Sequence, residues 1–378
     1  MSPTEKLLAE LIALPSVNPA FLPPGDGRGG EQRVADFLAA TAGTAGLAIE
    51  FQKVLPGRSN LLVRLSPAGP VEKRVVLAPH MDTVGEAAMA DSLFQPRRKG
   101  GRLYGRGACD TKGSVAAMLS ALLQVAKGAD RPRHSEIVFA ALIDEENGQE
   151  GSRALAQSGL KADLAIVGEP TRLQVVTAHK GDLWLKLVTR GKRAHGSKPH
   201  LGKNAVHAMA RVVHLLETVY AERLRQKRHP LLGNPTVNVG AIHGGSQANI
   251  VPDFCEIVID RRTIPGETQA TVIREIKQLL AEHGEKAELI DTKAKPCLPL
   301  ETDPALPLLA ALLKLAGQRQ PLGVDFFCDA AVLGAGGIPS VVFGPGDIAQ
   351  AHTSDEWISL ASLEAGTTLL TRFLRTLP

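Results

Sequence analysis

A doubly wound α/β domain, split by a second α+β domain of ferredoxin-like order, is predicted by three features of the 378-residue sequence. Short β-branched runs alternate with helical patterns through residues 1–178, a β-α-β-β-α-β rhythm fills residues 179–293, and the first rhythm returns over residues 294–378. In the first stretch, residues 74–78 (RVVLA), 136–143 (EIVFAALI) and 163–167 (DLAIV) have the continuous apolar character of buried strands. Val115, Met118, Leu119, Leu122 and Ala126 share one face of a helix between the first two. Strand–helix–strand alternation of this kind favours a sheet covered on both faces.

In the middle stretch, Leu183, Leu185 and Leu187 alternate with Trp184, Lys186 and Val188, as in a strand with unlike faces. Val206, Met209, Val213, Leu216 and Tyr220 mark a helix face; strands are expected near residues 236–242 and 254–260. A second helix carries Val272, Ile276, Leu279 and Leu280, and residues 287–290 close the series. In the last stretch, a helix near residues 304–315, a strand at 339–343 and a helix over 360–377 restore the α/β rhythm. A hinge between the domains is expected near Ala178 and Lys293.

Composition narrows the function classes. Lys+Arg 43 against Asp+Glu 39 gives a net charge of only +4, and 4% aromatics leave few rings for base stacking, so no nucleic-acid partner is expected. No apolar run approaches the ~20 residues of a membrane span. The opening Met1-Ser2-Pro3-Thr4-Glu5-Lys6 lacks the pattern of a secretion signal, and a cytoplasmic protein is expected. Cys109, Cys255, Cys297 and Cys328 are scattered without a CxxC, which argues against a disulfide scaffold or a cysteine zinc site.

Six acidic or imidazole positions fall at or just after expected strand ends, the edge where open α/β sheets bind ligands. His80-Met81-Asp82 follows RVVLA, and a carboxylate two residues after a histidine can orient its ring for metal ligation. Asp110 sits in Gly105-Arg106-Gly107-Ala108-Cys109-Asp110-Thr111-Lys112-Gly113, ahead of a helix, where an N-cap role is the bland alternative. Asp144-Glu145-Glu146 closes EIVFAALI; three converging acids repel one another unless a cation or proton compensates. Glu169 lies in Gly168-Glu169-Pro170-Thr171, and His352 in Ala351-His352-Thr353-Ser354-Asp355-Glu356. Singly, each has a structural reading. Together they supply two imidazoles, a carboxylate able to bridge, two further carboxylate ligands and a spare glutamate. Such a set suits Zn²⁺, with Co²⁺ or Mn²⁺ as substitutes. Two ions about 3.5–4 Å apart would activate a shared water and polarise a carbonyl, with the glutamate as general base.

These motifs, in this order, resemble the co-catalytic zinc aminoacylase/carboxypeptidase family, which includes acetylornithine deacetylase, succinyl-diaminopimelate desuccinylase and glutamate carboxypeptidase. The resemblance covers nearly the whole chain. It implies a zinc-peptidase-like catalytic domain with an inserted lid and dimerisation domain, and two Zn²⁺ per subunit. It implies that His80 and Glu169 hold one zinc, Glu146 and His352 the other, and that Asp110 bridges them. Asp82 would orient His80, and Glu145 would be the general base. Residues 191–205 match the family's GxxAHxSxPxxGxNA signature, which implies that His195 reaches a partner subunit's site and stabilises the tetrahedral oxyanion in a homodimer. Asn249 and Arg262 look like the lid groups that bind the substrate carboxylate, whereas strand alternation turns Arg261 to the opposite face.

Competing readings fare worse. Gly334-Ala335-Gly336-Gly337-Ile338-Pro339 lacks the third glycine of a dinucleotide loop and comes late, and neither GxxxxGK[ST] nor GxSxG occurs. A non-catalytic metal-binding relative would not need Glu145. His179-Lys180-Gly181 after GEPT looks closest to the deacetylase and desuccinylase branch, so a short N-acyl amino acid is the expected substrate, with dipeptides or C-terminal peptide residues as the alternative. Asp329 either contacts a substrate amine or caps the helix that follows it.

Overall fold

The computed structural model describes residues 1–85, 90–292 and 295–378. The chain forms two units: residues 1–177, 302–322 and 328–378 make the first, and residues 178–301 and 323–327 the second. The hinge point expected at Lys293 lies outside the described residues. Residues 295–301 and 323–327 had been expected in the first unit. They join the second through backbone pairing: Leu300 lies opposite His179, Cys297 bridges Asp182, and the Lys180 amide donates to the Val324 carbonyl at 3.2 Å.

In the first unit, Lys73–Pro79 lies between Ser135–Ala141 and Leu164–Gly168, parallel to both, and Ser340–Val342 continues parallel beyond Leu164–Gly168. These four strands are apolar on both faces because helices cover both. An antiparallel hairpin, Ala48–Leu55 and Arg58–Leu65, extends the sheet past Ser135–Ala141. Its outer strand is largely exposed, so its pattern is not that of a buried strand. The helices Pro3–Ile12, Gln32–Gly43, Lys112–Lys127 and Leu360–Arg375 share one continuous core with the sheet. Glu150–Gln157 and Asp329–Ala335 form the other layer. The Lys112–Lys127 helix buries more than the expected stripe. Ala116, Ala117 and Ala121 are also fully buried, and these small side chains let Leu360–Arg375 and Pro3–Ile12 pack closely against it. Phe139, Phe343 and Phe373 are buried in the same core, where truncation of one to alanine costs about 3–5 kcal/mol.

In the second unit, an antiparallel sheet runs Thr236–Gly244, Phe254–Thr263, Gly181–Arg190, Glu288–Asp291 in spatial order. Leu185 pairs with Ile259 and Leu187 with Ile257, and these face the helices Ala205–Leu215 and Gln269–Glu282. The buried stripe of the first helix is Ala205, Ala208, Met209, Val212 and Leu215; Val206 and Val213, expected in it, are only part-buried. A π-helical turn over Leu216–Tyr220 then lengthens the repeat, which keeps both Leu216 and Tyr220 buried. Among the described residues no helix is long and apolar enough to cross a membrane.

Candidate functional site

Three side chains leave neighbouring parallel strands at one edge of the first unit's sheet. His80 directly follows Lys73–Pro79, Glu169 directly follows Leu164–Gly168, and Glu146 stands in the turn after Ser135–Ala141. Asp110 comes from the loop before Lys112–Lys127, and its peptide bond to Thr111 is cis. His352 returns ten positions after Ser340–Val342, in a left-handed conformation (φ 59°). His80 Nε2 lies 3.1 Å from Asp110 Oδ1 and 3.8 Å from Glu169 Oε1. His352 Nε2 lies 3.3 Å from Asp110 Oδ2 and 3.2 Å from Glu146 Oε2. Asp110 thus turns one carboxylate oxygen to each imidazole. Within each of the groups His80–Asp110–Glu169 and Asp110–Glu146–His352, one ligand atom per residue falls within 4.8 Å of the others.

The turn carrying the acids is braced from below. Asp82 is fully buried, and its two carboxylate oxygens accept the backbone N–H groups of Glu145 and Glu146, each at 3.1 Å. His80 Nδ1 donates to the Asp82 backbone carbonyl at 3.0 Å, with the Asp82 carboxylate at 3.4 Å, which leaves Nε2 free as a ligand. The ring is therefore oriented by the main chain of Asp82 as well as by its carboxylate. Asn18 Nδ2 joins Asp82 to Asp144, at 2.8 and 2.9 Å. Arg58 ties Asp144 to the buried Glu31. Asp144 itself takes a left-handed backbone (φ 66°), the sharp turn that presents Glu145 and Glu146 together.

So many acids at one edge shift one another. Burial, and then the charge of Asp110, push Glu146 up to about 7. Burial raises Glu145 and Glu169 well above the ordinary carboxylate range, and the proximity of Asp329 adds to both. Burial opposes a charged His80, but its bonds to Asp110 and Asp82 outweigh this and raise its pKa well above the usual value. Bonds to Asp110 and Glu146 push His352 up to about 10. Buried Glu146 Oε1 has no hydrogen-bond partner. Carboxylates that burial drives toward protonation, imidazoles driven toward the cation and an unpartnered buried oxygen together fit a site for divalent cations. Oxygen and imidazole donors of this number suit zinc.

The second unit holds the remaining expected residues. His195 is exposed, and Ser197 donates its backbone N–H to His195 Nδ1 at 3.2 Å, so the ring proton sits on Nε2. The short strands Ala194–His195 and Ile250–Val251 pair, and the Gly196 amide donates to the Asn249 carbonyl at 2.7 Å. A Cβ on Gly196 would come within 2.9 Å of the Asn249 backbone, so glycine permits this approach. Asn249 is exposed. Arg262 is part-exposed and already engaged: Nε and Nη2 each donate to Asp260 at 2.9 Å, and the guanidinium lies 6.0 Å from the Phe327 ring centre. Arg261 points the other way, into the core, bonded to the Tyr220 hydroxyl and Glu267.

Asp329 does not take the helix-capping role expected from its position. Cys328 stands at the N-cap without a side-chain cap bond, while buried Asp329 Oδ1 accepts the Ser152 hydroxyl at 2.5 Å. The bracing residues Asn18, Glu31 and Arg58 carried no signal, because their partners lie 27 to 126 positions away. Glu356 ends the AHTSDE run, and its local sequence carries no signal of a role.

Residues 76–376 match peptidase family M20/M25/M40. The chain is 33% identical to an acetylornithine deacetylase of Myxococcus xanthus over 87% of each sequence. It is 32% identical to that of Edwardsiella ictaluri over 97% of this chain and 96% of the other. Its fold is similar to a tripeptidase from Staphylococcus aureus (TM-score 0.78, 22% identity, 99% and 97% of the chains covered). It is also similar to a dinuclear metal-binding M20 peptidase from Bacillus subtilis (TM-score 0.71, 13% identity, 99% and 97% covered).

Proposed function

The chain belongs to peptidase family M20/M25/M40, and from that premise we propose that it removes a short acyl group from an N-acyl amino acid of the acetylornithine type. It is a hydrolase acting on amide bonds. The observation that carries the finer reading is Asp110, whose two oxygens each face a different imidazole and so join two ligand groups. His80, Glu169 and Asp110 would hold one zinc, and Glu146, His352 and Asp110 the other. Bound there, the ions would acidify water and polarise the scissile carbonyl.

The remaining steps belong to the chain. Glu145 takes the proton of the attacking water and then delivers it to the leaving amine; its raised pKa suits both halves of that exchange. Asp82 holds the backbone of Glu145 and Glu146, so base and ligand stand at a fixed separation. Arg262 and Asn249 grip the substrate carboxylate, and Arg262 must exchange Asp260 for it. His195 offers its Nε2 proton to the oxyanion. Its exposure, with no carboxylate partner among the described residues, supports a role across a homodimer.

The test is a side-by-side assay of N-acetylornithine, N-succinyl-diaminopimelate, other N-acyl amino acids and dipeptides before and after chelation. The expected result is turnover highest on an N-acyl amino acid, abolished by chelator and restored by Zn²⁺ or Co²⁺. Dipeptides turned over best would replace the substrate assignment, and chelator-insensitive turnover would remove the metal.

A further inference from the structure

Glu356 is a carboxylate almost sealed from solvent, four positions after His352, to which the mechanism gives nothing. Its Oε1 accepts the backbone N–H groups of Cys109 and Asp110 at 2.8 and 2.9 Å. Its Oε2 accepts the Gly107 N–H at 2.8 Å and Arg106 Nη1 at 3.2 Å. The same Arg106 nitrogen donates to the Thr353 carbonyl at 3.1 Å, and the Gly105 N–H donates to the Glu356 carbonyl at 3.0 Å. The next strand, Trp357–Ser359, pairs antiparallel with Arg102–Tyr104. Nearly everything that joins the Asp110 loop to the His352 segment therefore passes through or beside one side chain.

We propose that Glu356 is a positioning residue that sets the separation of Asp110 and His352 and thereby assembles the ligand group Asp110–Glu146–His352. The inference rests on the two-ion reading above. Backbone N–H groups cannot converge in a buried loop without an acceptor, and one carboxylate here satisfies three of them and a guanidinium. The loop shape that aims Asp110 Oδ2 at His352 Nε2, 3.3 Å away, depends on that convergence. His352 also holds a left-handed backbone, a conformation that persists in a non-glycine residue only where its surroundings impose it. Glu356 and the Arg106–Thr353 bond supply those surroundings on its C-terminal side. The other ligand group is built differently. It shares Asp110, but its other two donors, His80 and Glu169, follow strands held in register, with Pro79 opposite Gly168, and neither bonds to Glu356 among the described residues. A defect at Glu356 should therefore fall unequally on the two groups.

Glu356→Gln keeps size but turns an NH₂ toward incoming N–H donors; Glu356→Asp keeps charge but is one methylene too short. Zinc titration of the metal-free variants by calorimetry, with elemental analysis of bound metal, is the measurement. Wild type should take up two ions. Both variants should keep the first event and weaken the second by about 10- to 100-fold, beside the fall in melting temperature that unpairing buried Arg106 brings. Two ions bound as in wild type by either variant would overturn the proposal, as would parallel weakening of both events. If wild type binds a single ion, the two-ion reading falls, and amide hydrogen exchange of the metal-free protein decides the role of Glu356. Faster exchange confined to residues 107–110 and 352–355 supports it, and unchanged exchange there sinks it.

Discussion

Most candidate residues of the first unit are sheltered and those of the second are not; His352, with a side chain 57% exposed, is the exception. In the first unit His80, Asp82, Asp110 and Glu169 are at most 8% exposed, and each is fixed by partners from distant parts of the chain. In the second unit His195 and Asn249 are exposed, and the His195 ring bonds a neighbour two positions away, Ser197. The contrast follows from the work proposed for each. A cation site gathers like charges that repel, so its donors need rigid strands, burial and cross-bracing to stay converged. Groups that receive a substrate must remain reachable, and local bonds suffice to choose their tautomer or direction. Arg262 stands between these extremes: half-sheltered, and preorganised by Asp260 until a substrate carboxylate competes.

The largest test of this contrast is Glu145→Ala. It should lower kcat by about 10²- to 10⁴-fold while elemental analysis still finds the wild-type metal content, because Glu145 belongs to neither ligand group. Loss of metal together with activity would instead merge the base with the ligands. Next, His195→Ala should cost about 10²- to 10³-fold in kcat without altering metal uptake. Mixed heterodimers of His195→Ala and Glu145→Ala subunits should recover part of the activity. Well-formed mixed dimers that stay inactive would confine His195 to its own subunit.

A third expectation concerns pH. In the metal-free protein His352 is pushed up to about 10 by Asp110 and Glu146, so at neutral pH it carries a proton that a cation must displace. Metal affinity should therefore rise by up to about tenfold per pH unit from about pH 7 to 9, with proton release visible as buffer-dependent heats in calorimetry. A pH-independent affinity would contradict the ligand role of His352. The smallest effect is structural. Lys112 is fully buried and donates to the Leu11 and Leu14 carbonyls at 2.9 and 2.7 Å; burial pushes it down to about 7 from 10.5. The folded state thus binds fewer protons than the unfolded state between these values, and its stability rises with pH across that window. Lys112→Met should lose that rise and leave two carbonyls short of a donor, about 1–3 kcal/mol at the alkaline end by denaturant melts.

Much of this architecture was readable from local pattern. The strands at Lys73–Pro79, Ser135–Ala141 and Leu164–Gly168 announce themselves as β-branched runs, and His80 and Glu169 follow two of them directly. Period-two alternation was enough to set Arg262 and Arg261 on opposite faces of Phe254–Thr263, and their partners agree. What stayed illegible has separate causes. The exposed strand Ala48–Leu55 has no buried face to betray it. Val212 rather than Val213 is buried because it continues the ordinary helical spacing from Ala205 and Met209, and the π-helical turn that follows shifts the repeat so that Leu216 and Tyr220 stay buried. Asp329 bonds Ser152 across 177 positions rather than capping its own helix.

The sequence by itself determined the order of the elements and the strand ends at which donor residues would emerge, because hydrophobic period and strand termini are local properties. Only the tertiary structure decided which donors meet. Asp110 and His352 lie 242 positions apart in the chain and 3.3 Å apart in space. That approach rests on parallel strands in register and on Glu356 gathering the Asp110 loop, while buried Asp82 holds the acidic turn that brings Glu146 to them. Such convergence is a balance of burial, charge and backbone hydrogen bonds summed over remote segments, and no local window of sequence contains it.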